Sequence, residues 1–82
     1  MDNYDDFDDF ETVKVQDKKI VRSEGGFSSL KGGHFAVGRT FFNKQGEVVG
    51  RLRWIEDAHG LAVPGTTRYT EVSRYQRLKK RR

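Results

Sequence analysis

The chain lacks several residue types and patterns, and each absence narrows the range of functions. It has no cysteine, so neither a disulfide framework nor thiolate chemistry is available to it. No apolar run approaches the roughly 18 residues that a membrane span needs. The amino end is acidic and unlike a signal peptide. We therefore expect a soluble, cytoplasmic protein, with nuclear import left open by the basic residues 79–82.

Catalytic groups are also scarce. The chain has only two histidines and no pair of acidic residues at a spacing that would bring them together. Asp57 and His59 fall inside a turn pattern, where aspartate is common for structural reasons. The segment Ser28–Gly33 has its lysine before the glycines, which is the wrong order for a phosphate-binding P-loop, so a flexible connector is favoured over an anion nest. The sequence predicts a protein that is not an enzyme and has neither a metal site nor a cofactor.

Charge is distributed very unevenly along the chain. Residues 1–11 contain six acidic side chains and no basic one, whereas residues 68–82 contain seven basic side chains against Glu71 alone. The formal net charge is +4. A small basic body with a strongly basic end is typical of a protein that binds a polyanion.

The composition predicts one thin domain between two charged ends. Hydrophobic and charged residues each make up 34% of the chain, which lies on the polar side of globular composition. We expect residues 1–11 to be a flexible, disordered acidic-aromatic segment. Residues 12–72 would form a small antiparallel β domain, and residues 73–82 a basic tail.

A β-hairpin over Phe35–Ile55 is the clearest element. Asn43 and Gly46 carry the turn chemistry between two runs rich in β-branched and aromatic residues. If Phe42 pairs with Glu47, Phe35 pairs with Trp54, and one face of the hairpin is almost entirely apolar. That face also carries Arg39, which we expect to be structural.

The other face of this hairpin carries Arg51 and Arg53. They are predicted to lie opposite Gly38 and Ala36, where small residues leave a shallow space, with Phe42 at the turn end. This pattern is compatible with a solvated outer face or with arginines that contact phosphates while Phe42 stacks on a base.

The flanking segments are less distinctive. Thr12–Arg22 predicts a strand or a short hairpin turning near Gln16–Lys19, and the glycine-rich Ser23–His34 predicts a mobile loop. Thr66–Val72 predicts a last strand, although the spacing from Thr70 onward also permits a short carboxy-terminal helix. The expected fold is all-β: a small antiparallel sheet or partly open barrel of four to five strands.

The leading functional hypothesis is a small non-enzymatic domain that binds DNA or RNA mostly through phosphates. Tyr69 and Tyr75 alternate with cations near the carboxy end, and both are candidates for base stacking. A tail that serves solubility or targeting is the simpler alternative. The predicted nucleic-acid-binding residues are Arg51, Arg53, Phe42, Arg74, Tyr75, Arg77, Lys79, Lys80, Arg81 and Arg82.

The alternative hypothesis belongs to another class of protein. Tyr4, Phe7 and Phe10 recur every three residues in an acidic segment and would suit docking on a basic, apolar groove of a partner. On this interpretation the chain is a protein-binding regulator, an inhibitor or an assembly subunit, including a viral accessory or virion protein. Self-association into a homo-oligomer is compatible with both hypotheses.

Overall fold

The computed structural model describes residues 10–79, and they form an all-β fold, as the sequence predicts. All strand pairs are antiparallel. Strands β2, β3, β4 and β5 form a four-stranded sheet in that order, and β1 pairs with β6 in a two-stranded ribbon. Within residues 10–79 the strands do not close into a barrel. The strands are β1 Phe10–Lys14, β2 Arg22–Ser29, β3 Phe35–Phe42, β4 Val48–Glu56, β5 Arg68–Glu71 and β6 Arg74–Leu78.

The hairpin of β3 and β4 has the predicted turn. The Oδ1 atom of Asn43 accepts hydrogen bonds from the backbone N–H groups of Gln45 at 3.0 Å and Glu47 at 2.9 Å. Gly46 has a φ of +83°, a conformation that glycine adopts without strain. Asparagine and glycine therefore have the structural roles expected from the sequence.

The predicted pairing register within this hairpin is wrong. Phe35 lies opposite Glu56 and Val37 opposite Trp54, a shift of two residues from the predicted pairs. The turn includes Glu47, which shifts the pairing register by one residue. A bulge at Val49 shifts it by one more. A one-residue slip exchanges the faces of a strand, but two such slips restore them. The predicted faces of residues 50–54 are consequently correct, whereas Val48, predicted to lie opposite Phe41, lies opposite Phe42.

The glycine-rich segment predicted to be a mobile loop is largely strand β2. It pairs with β3 from Arg22 opposite Phe42 to Ser29 opposite Phe35, and a tight turn at Lys31–Gly33 follows, in which both glycines have a φ of +78°. A Cβ atom on Gly25 would lie 3.1 Å from Nη2 of Arg39. Glycine at this position makes room for a neighbouring guanidinium, and it does not mark a break in the sheet.

The carboxy-terminal region is strand, and the described part of it contains no helix. The chain bends at Val72 and Ser73 between β5 and β6. The Val72 N–H donates to the Val49 carbonyl at 3.0 Å, and the Val15 N–H donates to the Ser73 carbonyl at 2.9 Å. One nearly continuous strand therefore leaves the four-stranded sheet and enters the ribbon.

The predicted short hairpin within Thr12–Arg22 does not form, because β1 and β2 pair with different strands. The chain between them is held by the turn of the other hairpin. The Gln16 N–H donates to Oε1 of Glu47 at 3.0 Å, and Nδ2 of Asn43 donates to the Asp17 carbonyl at 2.7 Å. These bonds direct the chain away from a local turn.

The best-buried part of the molecule lies where the ribbon, the β3–β4 turn and the β5–β6 bend meet, and we call it the junction. It comprises Val15, Asn43, Glu47 and Val49, whose relative exposures range from 1% to 6%. Nδ2 of Asn43 donates to Oε1 of Glu47 at 2.6 Å. Burial acts to raise the pKa of Glu47. Hydrogen bonds from Asn43, Tyr75 and the Gln16 amide, with the charge of Arg77, nevertheless hold that pKa below its ordinary value.

Outside the junction the four-stranded sheet leaves large side chains open to solvent. The close backbone contacts between strands in the described chain join hydrogen-bonded neighbours, and no residue of β2 or β3 is fully buried. The described part of the chain also has no helix with the length and apolarity needed to cross a lipid bilayer.

Candidate functional site

Alternation along the strands gives the four-stranded sheet two chemically different faces. We call them the arginine face and the aromatic face. The arginine face carries Arg22, Glu24, Gly26, Gly38, Thr40, Phe42, Arg51, Arg53, Arg68 and Thr70. The aromatic face carries Phe27, Phe35, Val37, Arg39, Phe41, Leu52, Trp54 and Tyr69, with Glu56 and Glu71 toward its ends.

The centre of the arginine face is a cluster of three arginines. Arg51 and Arg53 are exposed side chains on β4, as predicted, and Arg68 on β5 lies directly opposite Arg53. Like charges in directly opposite positions of a sheet are destabilising. Within residues 10–79 none of the three forms a salt bridge to a carboxylate. The cluster therefore presents uncompensated positive charge to the solvent.

Glycine residues make space beside the cluster. Arg53 lies opposite Gly38, which in turn lies opposite Gly26 on β2. A shallow depression of about 620 Å³ follows these positions and is lined in part by Thr40 and Arg51. The missing side chains allow a ligand backbone to approach the sheet closely, next to the guanidinium groups.

Arg68 is a candidate that the sequence analysis did not include among the site residues. Its Nη1 donates to the carbonyls of Gly65 at 3.0 Å and Thr67 at 2.9 Å, so its position is fixed by the turn that precedes β5. Arg68 lies within the expected strand Thr66–Val72. Only the pairing of this strand with β4 brings Arg68 opposite Arg53.

Phe42 lies at the turn end of the arginine face, but one side of its ring is occupied. The guanidinium of Arg22 is 4.0 Å from the ring centroid, a cation–π contact, and Arg22 also pairs with Glu24. Stacking of a base on this ring stays a prediction, and only the side away from Arg22 would serve it.

The two tyrosines predicted to stack beside cations are separated in space. Tyr69 lies on the aromatic face against Phe41, with 6.2 Å between the ring centroids. Tyr75 is half-buried beside the junction, where its hydrogen bond to Glu47 raises its pKa. Alternation within β5 places Tyr69 on the face away from the arginine cluster, and the pairing of β6 with β1 places Tyr75 in the ribbon.

The remaining predicted cations have different surroundings. Arg74 is exposed and lies opposite Lys14, which forms a second like-charge pair. The Nε atom of Arg77 is 2.7 Å from Oε2 of Glu11, so its charge is partly compensated. Lys79 follows β6 and is exposed. Lys80, Arg81 and Arg82 lie outside the described residues.

Of the predicted docking residues, only Phe10 is described. It is the first residue of β1, lies opposite Leu78 and is 46% exposed. Tyr4 and Phe7 lie outside the described residues.

The Asp57–Gly60 segment is a turn in the structure. Oδ1 of Asp57 accepts hydrogen bonds from the backbone N–H groups of His59 at 2.9 Å and Leu61 at 3.0 Å. Among residues 10–79 no group of three or more histidine, aspartate or glutamate side chains is arranged to hold a metal ion.

Comparison of the chain with protein-family models, with curated proteins and with solved structures finds no match. Function is therefore inferred from the geometry of the described residues.

Proposed function

We propose that this protein is a non-catalytic nucleic-acid-binding domain whose primary contact surface is the arginine face. The observation that carries the proposal is the cluster of Arg51, Arg53 and Arg68, which concentrates like charge without a carboxylate partner in the described chain. A protein gains nothing in folding stability from such an arrangement. A bound polyanion would neutralise it.

The chemistry of the cluster suits phosphate. The guanidinium groups of Arg51 and Arg53 present planar sets of N–H donors that match the oxygens of a phosphate group. Arg68 adds its charge and the donors that remain after Nη1 bonds to the Gly65 and Thr67 carbonyls. Arg51 and Arg53 are two residues apart on one strand, and their Cα atoms are therefore about 6.6 Å apart. The depression beside Gly38 leaves room for a sugar–phosphate backbone to lie along the sheet.

The same geometry favours binding without sequence selection. Phosphate contacts fix the position of a nucleic acid but do not distinguish its bases. The glycines and threonines of the arginine face offer few groups for base recognition, and Phe42 is partly covered by Arg22. The basic residues from Arg74 onward, including Lys79, would extend the contact along the backbone.

Fluorescence anisotropy with labelled single-stranded and duplex oligonucleotides tests the proposal. Replacing Arg51, Arg53 and Arg68 together by alanine should weaken binding and lower the slope of log affinity against log salt by about 2 to 3, because each lost phosphate contact contributes about 0.7 to 0.9. The matched control removes Lys18, Lys19 and Lys44, three exposed charges outside the arginine face. This control should change the slope much less.

Two results would refute the proposal. One is binding no tighter than about 100 μM at low salt, since non-specific binders normally reach that range. The other is an equal loss of affinity in the arginine and lysine triple variants, which would show that only net charge matters. The proposed site of action is the cytoplasm, and cell fractionation tests it.

A second candidate function, protein binding or assembly, is favoured by the exposed rings of the aromatic face. Here the acidic-aromatic residues Tyr4, Phe7 and Phe10 would dock on a partner protein. A pull-down with these three residues changed to alanine tests this. Loss of a partner without loss of oligonucleotide binding supports the candidate, and an unchanged set of partners argues against it.

A further inference from the structure

The aromatic face has the composition of a protein core, but it is open. Phe27 is 74% exposed and Tyr69 53% exposed, although both belong to groups of packed rings. Phe27 meets Phe35 edge to face, with 6.0 Å between the ring centroids. No residue of β2 or β3 is fully buried, so the side chains of this face keep contact with solvent. Since a stable domain needs at least two packed layers around its core, this face requires a cover.

The size of the face matches what a stable dimer buries. Strand β3 has eight residues, and at about 3.3 Å per residue the sheet is roughly 26 Å long. Four strands about 4.8 Å apart make it roughly 19 Å wide, which gives a flat footprint of about 500 Å². Large side chains protrude from the sheet, so its accessible area exceeds this flat footprint. The area thereby approaches the 800 Å² or so that each partner contributes to a standard interface.

Charge indicates which occupant suits the face. It carries both signs, with Arg39 near its centre, Glu56 toward one end and Glu71 toward the other, where Glu71 is paired with Lys18 at 3.2 Å. The guanidinium of Arg39 donates to Oγ of Ser23 at 2.8 Å, and no salt bridge to a carboxylate is present for it within residues 10–79. A surface with both signs is able to pair with a copy of itself. Nucleic acid or an acidic peptide is instead attracted to the opposite face, where four arginines face Glu24 alone.

The face also has the relief that self-association needs. A hollow of about 630 Å³ lies beside the exposed Phe27 ring, lined by Gly25, Val37, Arg39 and Trp54. An isologous interface places the same patch on both subunits, so a protruding group of one copy needs a recess in the other. Phe27 and this hollow supply such a pair.

We propose that two copies of this chain associate through their aromatic faces to form a symmetric dimer whose arginine faces point outward. Each sheet then serves as the second layer for the other, and the apolar side chains of both become the core. The proposal does not depend on nucleic-acid binding, because it uses the other side of the sheet.

Sedimentation equilibrium over a wide concentration series tests the proposal directly. The expected species at high concentration has twice the 9.5 kDa mass of the chain. Trp54 is the only tryptophan and lies on the aromatic face, so its fluorescence should shift to shorter wavelength as the dimer forms. A monomer at all concentrations, or a tryptophan emission that is independent of concentration, overturns the proposal.

Variants locate the interface. Phe27→Ser should raise the dissociation constant at least tenfold, because a large aromatic side chain that becomes buried in a recess of the partner is a typical hot spot. Leu78→Ser is the matched control: Leu78 is 65% exposed but lies in the ribbon, and the dimer should be unaffected. Equal effects of the two variants would overturn the assignment to the aromatic face.

Parallel anisotropy measurements separate this proposal from the proposed function. Phe27→Ser should still bind oligonucleotides with the salt slope of a single arginine face. The Arg51, Arg53 and Arg68 triple variant should still dimerise. Loss of dimer formation in that triple variant would contradict the assignment, because it would place the interface on the arginine face.

Discussion

At the junction, Asn43 and Glu47 are almost completely buried, and their polar atoms bond to each other and to the segment of Gln16 and Asp17, 26 to 31 residues earlier in the chain. In the four-stranded sheet, by contrast, no residue of β2 or β3 is fully buried. The junction is thus complete within one chain, whereas the sheet has an apolar face that one chain leaves open. The difference indicates that the junction specifies the fold, while the open apolar face of the sheet is suited to contact another molecule.

From this comparison we expect the largest loss of stability when a buried side chain of the junction is removed. Asn43→Ala removes two hydrogen bonds donated by Nδ2 and two accepted by Oδ1. We expect the free energy of unfolding to fall by about 2 to 3 kcal/mol, since buried partners are left unsatisfied. Urea denaturation measures this.

Gln45→Ala is the control for this experiment, because Gln45 is exposed in the same turn and its backbone bond is unchanged. Its effect should stay within about 0.5 kcal/mol. If both substitutions cost the same, the junction does not have the role assigned to it.

A smaller effect is expected from a methyl group added to the sheet at Gly50. The ring of Tyr69 lies directly over this position, so Gly50→Ala would force Tyr69 to move. We expect a loss of about 1 kcal/mol, at the low end for overpacked sites, because Tyr69 is half exposed and its ring has room to move. At Gly26 no atom lies within 4 Å of an added Cβ, so Gly26→Ala should be neutral or slightly stabilising. Thermal unfolding of the two variants side by side checks this, and a cost at Gly26 equal to that at Gly50 would contradict the described packing.

The smallest effect is a dependence of stability on pH that comes from the junction. Hydrogen bonds to Glu47 outweigh its burial and lower its pKa from the ordinary 4.5. A carboxyl group with a lowered pKa stabilises the folded state above its ordinary value, and this stabilisation disappears as the pH falls through the folded pKa. Stability should therefore fall below pH 4.5, and it should fall less steeply in Glu47→Gln.

Tyr75 makes stability depend on pH in the opposite direction. Its hydrogen bond to Glu47 raises its pKa above 10.0, so its contribution is complete below pH 10 and is lost as the pH rises further. Tyr75→Phe should remove this alkaline loss. Denaturation at a series of pH values measures both effects. If the stability of each variant depends on pH in the same way as that of the wild type, Glu47 and Tyr75 do not make these contributions.

Local chemistry in the sequence predicted the hairpin well, because its turn depends on two nearby residues. Asn43 and Gly46 made that turn recognisable. Its exact length depends on Glu47, whose carboxylate is drawn into the junction by Gln16, a residue 31 positions earlier. Local sequence rules therefore did not predict the pairing register of the hairpin. They did predict that Arg51 and Arg53 share one face.

The remaining differences also come from distant pairing. Gly25 and Gly26 resemble loop residues by composition, but they form a strand because β3 offers its edge to them. The spacing of Val72, Tyr75 and Leu78 fits a helix as well as a strand, and it is the pairing with β1 that selects the strand. The candidate site was predicted in part for the same reason: Arg68 joins the cluster only through the pairing of β5 with β4.

The pairing of Phe10 with Leu78 has a mechanical consequence. It places the two ends of the described chain side by side at the tip of the ribbon. Tension applied to these ends loads the antiparallel hydrogen bonds one after another, as in a zipper, instead of all at once in shear. Because β6 continues into β5, the opening would run through the bend at Val72 and peel β5 from β4, so the molecule should yield at low force from its tip inward.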